Sequence, residues 1–228
     1  MSTETKTKEK IDLDPKYIIK LTVTLFATCL VVAFCLGLVN GVTLPNITAS
    51  NLAKTNAALA AVYPEIDEAN FASAEIEVSE DITAAASAYS ATVTNVYAIT
   101  DGGAEAGYAV KLDVSGSQST ISMMVGLDTE GAVTGVSVVK SGETSGIGTK
   151  VTVDNAPLPS GVPVLDQFIG KTAADQPLKV GGNVTAISGA TVSSKGITNG
   201  VNGALAAFAA GIEAGMTPEE IVPAFLRY

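Results

Sequence analysis

The longest apolar stretch of the chain lies near its N-terminus. No charged residue occurs from Leu21 to Ala53, and Leu21–Val39 is almost wholly apolar. About 20 such residues are enough to cross a bilayer as a helix. A cleaved signal peptide would have an apolar core of about 7–15 residues and a small-x-small cleavage site, which Val39-Asn40-Gly41 matches poorly. The pattern therefore predicts an uncleaved transmembrane helix over residues 17–42, preceded by a polar tail over residues 1–16.

The apolar stretch is followed by a segment with helical character. Pro45 is predicted to break the first helix, because proline lacks the N–H that a helix interior needs. Apolar residues then recur on one stripe of Asn51–Val62, which predicts a helix that ends before Pro64. We assign residues 43–89 to a connecting helical segment and residues 90–228 to the main domain.

Four later segments alternate β-branched and polar residues, which is typical of β-strands. A turn at Asp128–Gly131 joins the last two as a hairpin. Residues 141–188 are rich in Gly, Pro, Ser and Asp and predict irregular loops, with one short helical piece at Val164–Ile169. The four predicted strands are Ser90–Thr100, Tyr108–Val114, Ser119–Leu127 and Ala132–Lys140.

The C-terminal part has helical periodicity. Apolar residues at spacings of three and four between Ile197 and Ile212 predict a long helix, which Gly211 and Gly215 would end. Thr217–Glu220 has the capping pattern of a short final helix. The predicted fold class is α+β: one N-terminal transmembrane helix, then a domain with an antiparallel sheet and packed helices.

Charge predicts the orientation of the anchor. Five lysines precede the apolar stretch, and the first basic residue after it is Lys54. The excess of positive charge predicts a cytoplasmic N-terminus and a main domain outside the cytoplasm. Nineteen acidic and eight basic residues follow the stretch, so this part is not expected to bind nucleic acid electrostatically. The five lysines are Lys6, Lys8, Lys10, Lys16 and Lys20.

Composition limits the chemistry that side chains can perform. The chain has no histidine, which excludes Ser-His-Asp and Cys-His catalysis and the common zinc sites. Cys29 and Cys35 lie in the predicted span about 240° apart around a helix. They are interpreted as apolar packing residues or, alternatively, as ligands of an intramembrane iron–sulfur centre shared with a partner. We predict no catalytic residue and no metal site in the main domain, so a cofactor would supply any redox chemistry.

One cluster of small and hydroxyl residues precedes the long predicted helix. Ser188-Gly189-Ala190-Thr191 leads into Val192, Ser193 and Ser194. Thr191 is therefore expected at a helix N-terminus, where free N–H groups and the helix dipole favour a phosphate. The alternative is an ordinary group of N-capping hydroxyls.

A glycine-containing loop is predicted after the last strand. Glu143-Thr144-Ser145-Gly146-Ile147-Gly148 is either a tight turn or a surface on which a flat ring packs. In the second interpretation Ile147 contacts the ring, Thr144 hydrogen-bonds its polar edge, and the glycines allow close backbone approach.

The Ser188–Ser193 cluster resembles the flavinylation motif of the FMN-binding domain found in the Rnf complex, in its G subunit, and in the Nqr complex, in its C subunit. The loop Glu143–Gly148 is similar to the Glu-Thr-Pro-Gly-Leu-Gly loop of that family, with Ser145 in place of proline. Ser141 stands where the family often has histidine, and Thr185 where it usually has aspartate. Further similar segments are Ala58–Pro64, Val125–Asp128, Gly131, Val138–Lys140, Asp166–Phe168 and Gly170–Lys171.

The resemblance implies a cofactor, a site and partners. FMN would be joined to Thr191 through a phosphoester bond, formed by a separate flavin transferase that uses FAD. The chain would sit in the cell inner membrane and associate with the other membrane and peripheral subunits of the complex. The implied cofactor-binding residues are Ser188, Gly189, Ala190, Thr191, Val192, Ser193, Glu143, Thr144, Gly146, Ile147 and Gly148.

Three functions are consistent with these observations. The first is an electron-carrier subunit of an ion-translocating ferredoxin:NAD⁺ oxidoreductase of the Rnf type, which the short main domain favours. The second is the related C subunit of a Na⁺-translocating NADH:quinone reductase of the Nqr type. The third is a non-redox, membrane-anchored scaffold or adhesion domain, in which the Ser-Gly-Ala-Thr cluster only caps a helix.

Overall fold

A long N-terminal helix is the first element. The computed structural model describes residues 15–213, and the chain divides into two compact units between Leu52 and Ala53. Helix α1 is Pro15–Val62, and its residues from Pro15 to Lys54 are exposed. Within the described residues it is one helix that is long and apolar enough to cross a membrane. This length and composition are compatible with a single-pass membrane anchor.

The predicted break at Pro45 is wrong, because α1 continues through this residue. A single proline removes one backbone hydrogen bond from a helix of 48 residues, and apolar membrane helices tolerate such a loss. The hydroxyl of Thr48 donates to the carbonyl of Pro45 at 2.8 Å, so this turn keeps a local polar contact. The predicted helix end before Pro64 is confirmed.

Five antiparallel strands form one sheet in chain order, β1-β2-β3-β4-β5. The four predicted strands are confirmed, and β1 is an additional strand that pairs with β2. Helix α2, Glu80–Ser87, lies between these two strands in sequence. The segment predicted to be helical at 43–89 is thus a mixture of helix and strand, while the domain boundaries assigned to it stay predictions. The strands are β1 Phe71–Ile76, β2 Ala91–Asp101, β3 Ala104–Ser115, β4 Thr120–Leu127 and β5 Val133–Lys140.

Both faces of the sheet are covered. On strand β4, alternate side chains such as Met123 and Met124 point to opposite faces, and both are fully buried. Met123 belongs to the larger core, which packs under α2 and α3, whereas Met124 packs with Leu59 and Val62 at the end of α1. A sheet covered on both faces explains why β4 is apolar at nearly every position.

Helix α3, Thr191–Glu213, begins where the sequence predicted the long helix. Ile197, Val201 and Leu205 are buried against the sheet, as their spacing indicated. Gly203 lets the helix approach closely, since a Cβ there would lie 2.6 Å from the Cβ of Ala91. Gly211, which was expected to end the helix, lies within it.

Some predictions fall outside the described residues: the polar tail before Pro15, Gly215, and the capping segment Thr217–Glu220. The irregular region 141–188 is described. It contains a short 3-10 turn at Asp166–Phe168, inside the predicted helical piece.

Candidate functional site

A cleft that is open to solvent, with a cavity volume of about 160 Å³, lies between the N-terminus of α3 and two loops. One loop follows β5, and the other is the turn between β3 and β4 that contains Ser117. The lining residues are Ser117, Glu143, Thr144, Ile147, Gly148, Gly189, Ala190, Thr191, Val192 and Ser193.

The loop before α3 positions the first turn of the helix. Gly189 has a φ of +81°, which L side chains rarely adopt, so glycine allows the chain to turn into the helix. The N–H of Ser194 donates to the carbonyl of Ala190 at 2.9 Å. The N–H groups of Thr191, Val192 and Ser193 precede that first helical bond, and their position at a helix N-terminus suits a phosphate or another anion.

The three hydroxyl groups of this turn differ in their surroundings. Ser193 and Ser194 are 1% and 3% exposed, and both hydroxyls form hydrogen bonds inside the protein. Thr191 is exposed, and its hydroxyl has no hydrogen-bond partner among the described residues. Thr191 is thus the hydroxyl of this turn that an external reagent can reach.

The hydroxyls do not act as simple N-caps. Ser194 Oγ donates to the carbonyl of Ala190 at 3.0 Å and accepts from the N–H of Ile187 at 3.4 Å, so it braces the loop before the helix. Ser193 Oγ donates to Glu143 instead of accepting from a helical N–H. Within the described residues, none of these hydroxyls caps the first turn of α3.

The loop after β5 forms the second wall. The N–H groups of Ile147 and Gly148 donate to the carbonyl of Thr144 at 3.2 and 2.9 Å. Gly146 has a φ of +74°, so the loop is a tight turn that requires glycine at this position. The side chains of Thr144 and Ile147 remain exposed, and Ile147 is 51% exposed. The turn therefore presents a polar and an apolar side chain to the cleft.

Glu143 connects the three segments that form the cleft. Its side chain is 8% exposed. One carboxylate oxygen accepts the hydroxyl of Ser193 at 2.5 Å, and the other accepts the N–H groups of Gln118 and Ser119 at 3.0 and 3.3 Å. The carboxylate thus ties the β5 loop to helix α3 and to the β3–β4 turn.

The surroundings of Glu143 favour its ionised form. Burial alone raises the pKa of this carboxyl, but hydrogen bonds from the Ser193 hydroxyl and from backbone N–H groups of the β3–β4 turn outweigh it. The pKa therefore lies below its usual value. A Cβ on Gly148 would lie 2.6 Å from the carboxylate, so glycine at this position leaves room for the charged group.

The structure brings most of the predicted site residues together. Nine of the eleven line the cleft, whereas Ser188 and Gly146 belong to the same two loops but do not line it. The role of all eleven as flavin contacts stays a prediction. Ser117 is a lining residue that the sequence analysis missed. Its only signal was its place in a short turn between two predicted strands, which gives no information on what the turn faces.

Thr185, which replaces the aspartate of the resembling family, lies on the surface before the cleft loop. Its backbone is held by the side-chain amide of Gln167, which accepts the Thr185 N–H at 2.8 Å and donates to the Thr185 carbonyl at 3.1 Å. The Thr185 side chain is exposed and forms no hydrogen bond among the described residues.

Comparison with known proteins identifies the segment that contains the cleft. Residues 116–206 match the family model of the FMN-binding domain. No curated protein matches the chain. The matched residues run from the β3–β4 turn into α3 and include every residue that lines the cleft. The match supports an FMN-binding domain in this part of the chain and, with it, a flavin-binding role in electron transfer.

Proposed function

We propose that this chain is a membrane-anchored electron carrier that holds FMN covalently on Thr191. The observation that supports the proposal best is the position of Thr191: it is an exposed hydroxyl at a helix N-terminus, in a cleft within the segment that matches the FMN-binding domain. When bound, FMN would supply one- and two-electron chemistry that the side chains of this domain do not provide.

The residues of the cleft fit the parts of FMN. A phosphoester on Thr191 would lie beside the free N–H groups of the first turn of α3, and the dipole of a helix 23 residues long favours its negative charge. Ile147 and Val192 are exposed apolar side chains on opposite walls of the cleft, where they can contact a flat ring. The exposed hydroxyl of Thr144 can hydrogen-bond the ring's polar edge.

Attachment requires a donor and a transferase. In the proposed reaction the Thr191 oxygen replaces AMP on the FMN phosphate of FAD, so Thr191 loses a proton and AMP leaves. Ser193 is unsuited to this role because its hydroxyl is buried and bonded to Glu143. Thr191 is the acceptor that accessibility favours.

We further propose that the chain is the G subunit of an Rnf-type ion-translocating ferredoxin:NAD⁺ oxidoreductase. The support is the resemblance of the Ser188–Ser193 and Glu143–Gly148 segments, together with one helix suited to a membrane. In this role the domain would lie outside the cytoplasm in the cell inner membrane and exchange electrons with partner subunits.

The site of attachment can be tested by mass spectrometry. The full chain is co-expressed with a flavin transferase in cells that supply FAD. It is then expected to carry the mass of FMN on the peptide that contains Thr191. Thr191→Val should abolish the modification, because valine has a similar shape but no oxygen. Thr92→Val is the matched control: it makes the same change at an exposed position of β2 outside the cleft and should leave the modification intact.

Two results would count against the proposal. Unmodified wild-type protein, under conditions in which the transferase modifies a known substrate, would contradict covalent flavin binding. FMN mass on the same peptide of the Thr191→Val variant would exclude Thr191 as the acceptor and point to Ser188, Ser193 or Ser194.

A further inference from the structure

The structure contains a buried negative charge in the wall of the proposed flavin cleft. Glu143 lines the cleft, is 8% exposed, and receives three hydrogen bonds at 2.5, 3.0 and 3.3 Å. All three donors are neutral groups: one hydroxyl and two backbone N–H groups. Such bonds stabilise a carboxylate without cancelling its charge.

No ion pair compensates this charge among residues 15–213. Within the described part of the chain, Glu143 forms no ion pair, and Lys171, on another loop, pairs with Asp175. Hydrogen bonds from the protein outweigh the effect of burial and favour ionisation, so the carboxylate stays charged at neutral pH. The wall of the cleft therefore carries a net negative charge in a region from which water is partly excluded.

We propose that the ionised carboxylate of Glu143 lowers the reduction potential of the flavin held in this cleft. Reduction adds electrons to the ring, and a nearby fixed negative charge opposes the added negative charge most strongly where water screens it least. Glu143 is a positioning residue through Ser193 and the β3–β4 turn, and its charge in addition tunes the cofactor. This inference rests on the proposed function, because it requires FMN in the cleft.

Ser193 is expected to modify the effect of the Glu143 charge on the flavin. Its hydroxyl points its proton at the carboxylate and so weakens the negative potential that the carboxylate produces in the cleft. Removing the carboxylate charge and removing the hydroxyl should therefore have opposite effects on the flavin. A purely structural role of the Glu143–Ser193 pair would instead make the two changes act alike, because Glu143→Gln weakens the same bond that Ser193→Ala removes.

The test compares midpoint potentials of the full flavinylated chain in detergent, measured by spectroelectrochemistry. Glu143→Gln removes the charge and keeps an oxygen acceptor of the same size, so the potential is expected to become more positive. Ser193→Ala keeps the charge and removes its hydroxyl partner, so the potential is expected to become more negative. Occupancy is measured on the same samples by intact mass.

Each result decides between the proposals. A Glu143→Gln protein that carries flavin but has an unchanged or more negative potential overturns the inference and leaves the proposed function standing. A positive shift in both variants also overturns it, because disturbance of the bond would then explain the effect. Wild-type protein that never acquires flavin overturns the proposed function and the inference together.

If Glu143→Gln does not fold, the midpoint potential of Ser193→Ala alone still tests the inference. This variant retains the buried carboxylate, and the side chain that it removes is small. A more negative potential then supports a charge-based effect of Glu143, and an unchanged or more positive potential overturns it.

Discussion

At the scale of single residues, the cleft depends on how little space surrounds Glu143. The carboxylate fits between the β3–β4 turn and the loop after β5 because Gly148 has no side chain. A Cβ on Gly148 would lie 2.6 Å from the carboxylate and 2.7 Å from the Cβ of Glu143. The backbone of this loop, more than its side chains, thus determines where the charge sits.

Gly148→Ala is expected to destabilise the domain by about 1–3 kcal/mol, because the added methyl group overpacks a filled site. The measurement is urea unfolding of the full chain in detergent, followed by circular dichroism. Gly182→Ala is the matched control, since a Cβ there meets its nearest neighbour at an ordinary 3.4 Å. Equal midpoints for the two variants would show that the loop can move away from Glu143 without cost.

The stability of the domain is expected to depend on the charge of Glu143 at acid pH. The pKa of this carboxyl is lowered in the folded state, so its stabilising effect is fully present above the usual pKa of about 4.5 and is lost as pH falls through the folded value. Hydrogen bonds to a charged group are each worth about 1.5–3 kcal/mol. The difference in unfolding free energy between wild type and Glu143→Gln should therefore shrink as pH falls. Parallel stability curves from about pH 6 to about pH 3 would contradict this.

The candidate site was predictable at the residues that lie in recognisable sequence motifs. Thr191 and Glu143 could be selected because their segments resemble a known motif. The bond between Glu143 and Ser193 was not predictable, because it joins side chains 50 positions apart through a contact that only the folded sheet creates. Ser117 was missed for the same reason, since its own sequence context is that of any short turn.

At the scale of elements, the end of helix α1 is fixed to the sheet by polar as well as apolar contacts. The hydroxyl of Tyr63 lies 2.7 Å from the carbonyl of Leu127 and 2.8 Å from that of Tyr108, and it can donate to either. Thr134 donates its hydroxyl proton to the carbonyl of Val62 at 2.8 Å. Burial raises the pKa of Tyr63, so this hydroxyl remains a donor at neutral pH.

Tyr63→Phe is expected to cost about 0.5–1.5 kcal/mol of stability, because two carbonyl groups lose a shared donor in a buried place. Thermal unfolding of the full chain in detergent would measure the effect. Tyr89→Phe serves as the control, since the Tyr89 hydroxyl forms no hydrogen bond within the described residues. A Tyr63→Phe protein as stable as the control would show that apolar packing alone holds this turn on the sheet.

Strands β2 to β5 could be predicted because each alternates β-branched and polar residues over much of its length. Strand β1 was missed because it is a half-exposed edge strand of six residues with little β-branched character, and its pairing with β2 supplies the order that its sequence lacks. The prediction at Pro45 was wrong for a different reason. Proline does remove one backbone hydrogen bond, but the other backbone hydrogen bonds of a long apolar helix keep the helix intact.

At the scale of the whole molecule, the sequence predicts on which side of a membrane each part lies. The five lysines before the apolar stretch, against none between Leu21 and Ala53, favour a cytoplasmic N-terminus. Among the described residues, the structure adds one helix that is long and apolar enough to cross a membrane. The predicted orientation rests on the charge pattern alone.

Protease added to intact spheroplasts is expected to degrade the part of the chain after Lys54 and to spare an epitope placed before Pro15. A cytoplasmic marker protein is the control for intact cells. Protection of the large part, in cells where the protease digests another exposed protein, would reverse the orientation and contradict the proposed place in the membrane complex.

The order of the strands in the sheet also has a consequence for how the protein is made. Each strand pairs with the strand that precedes it in the chain, so the sheet can assemble progressively while synthesis continues. Helix α3 is the last element of the described residues, and until it is made the apolar face that carries Met123 and Leu112 lacks the cover that this helix provides. The acceptor threonine belongs to that same late helix. Flavin attachment would thus follow completion of the core. A nascent chain halted before α3 would expose an apolar surface that is prone to aggregation and that a chaperone would have to protect.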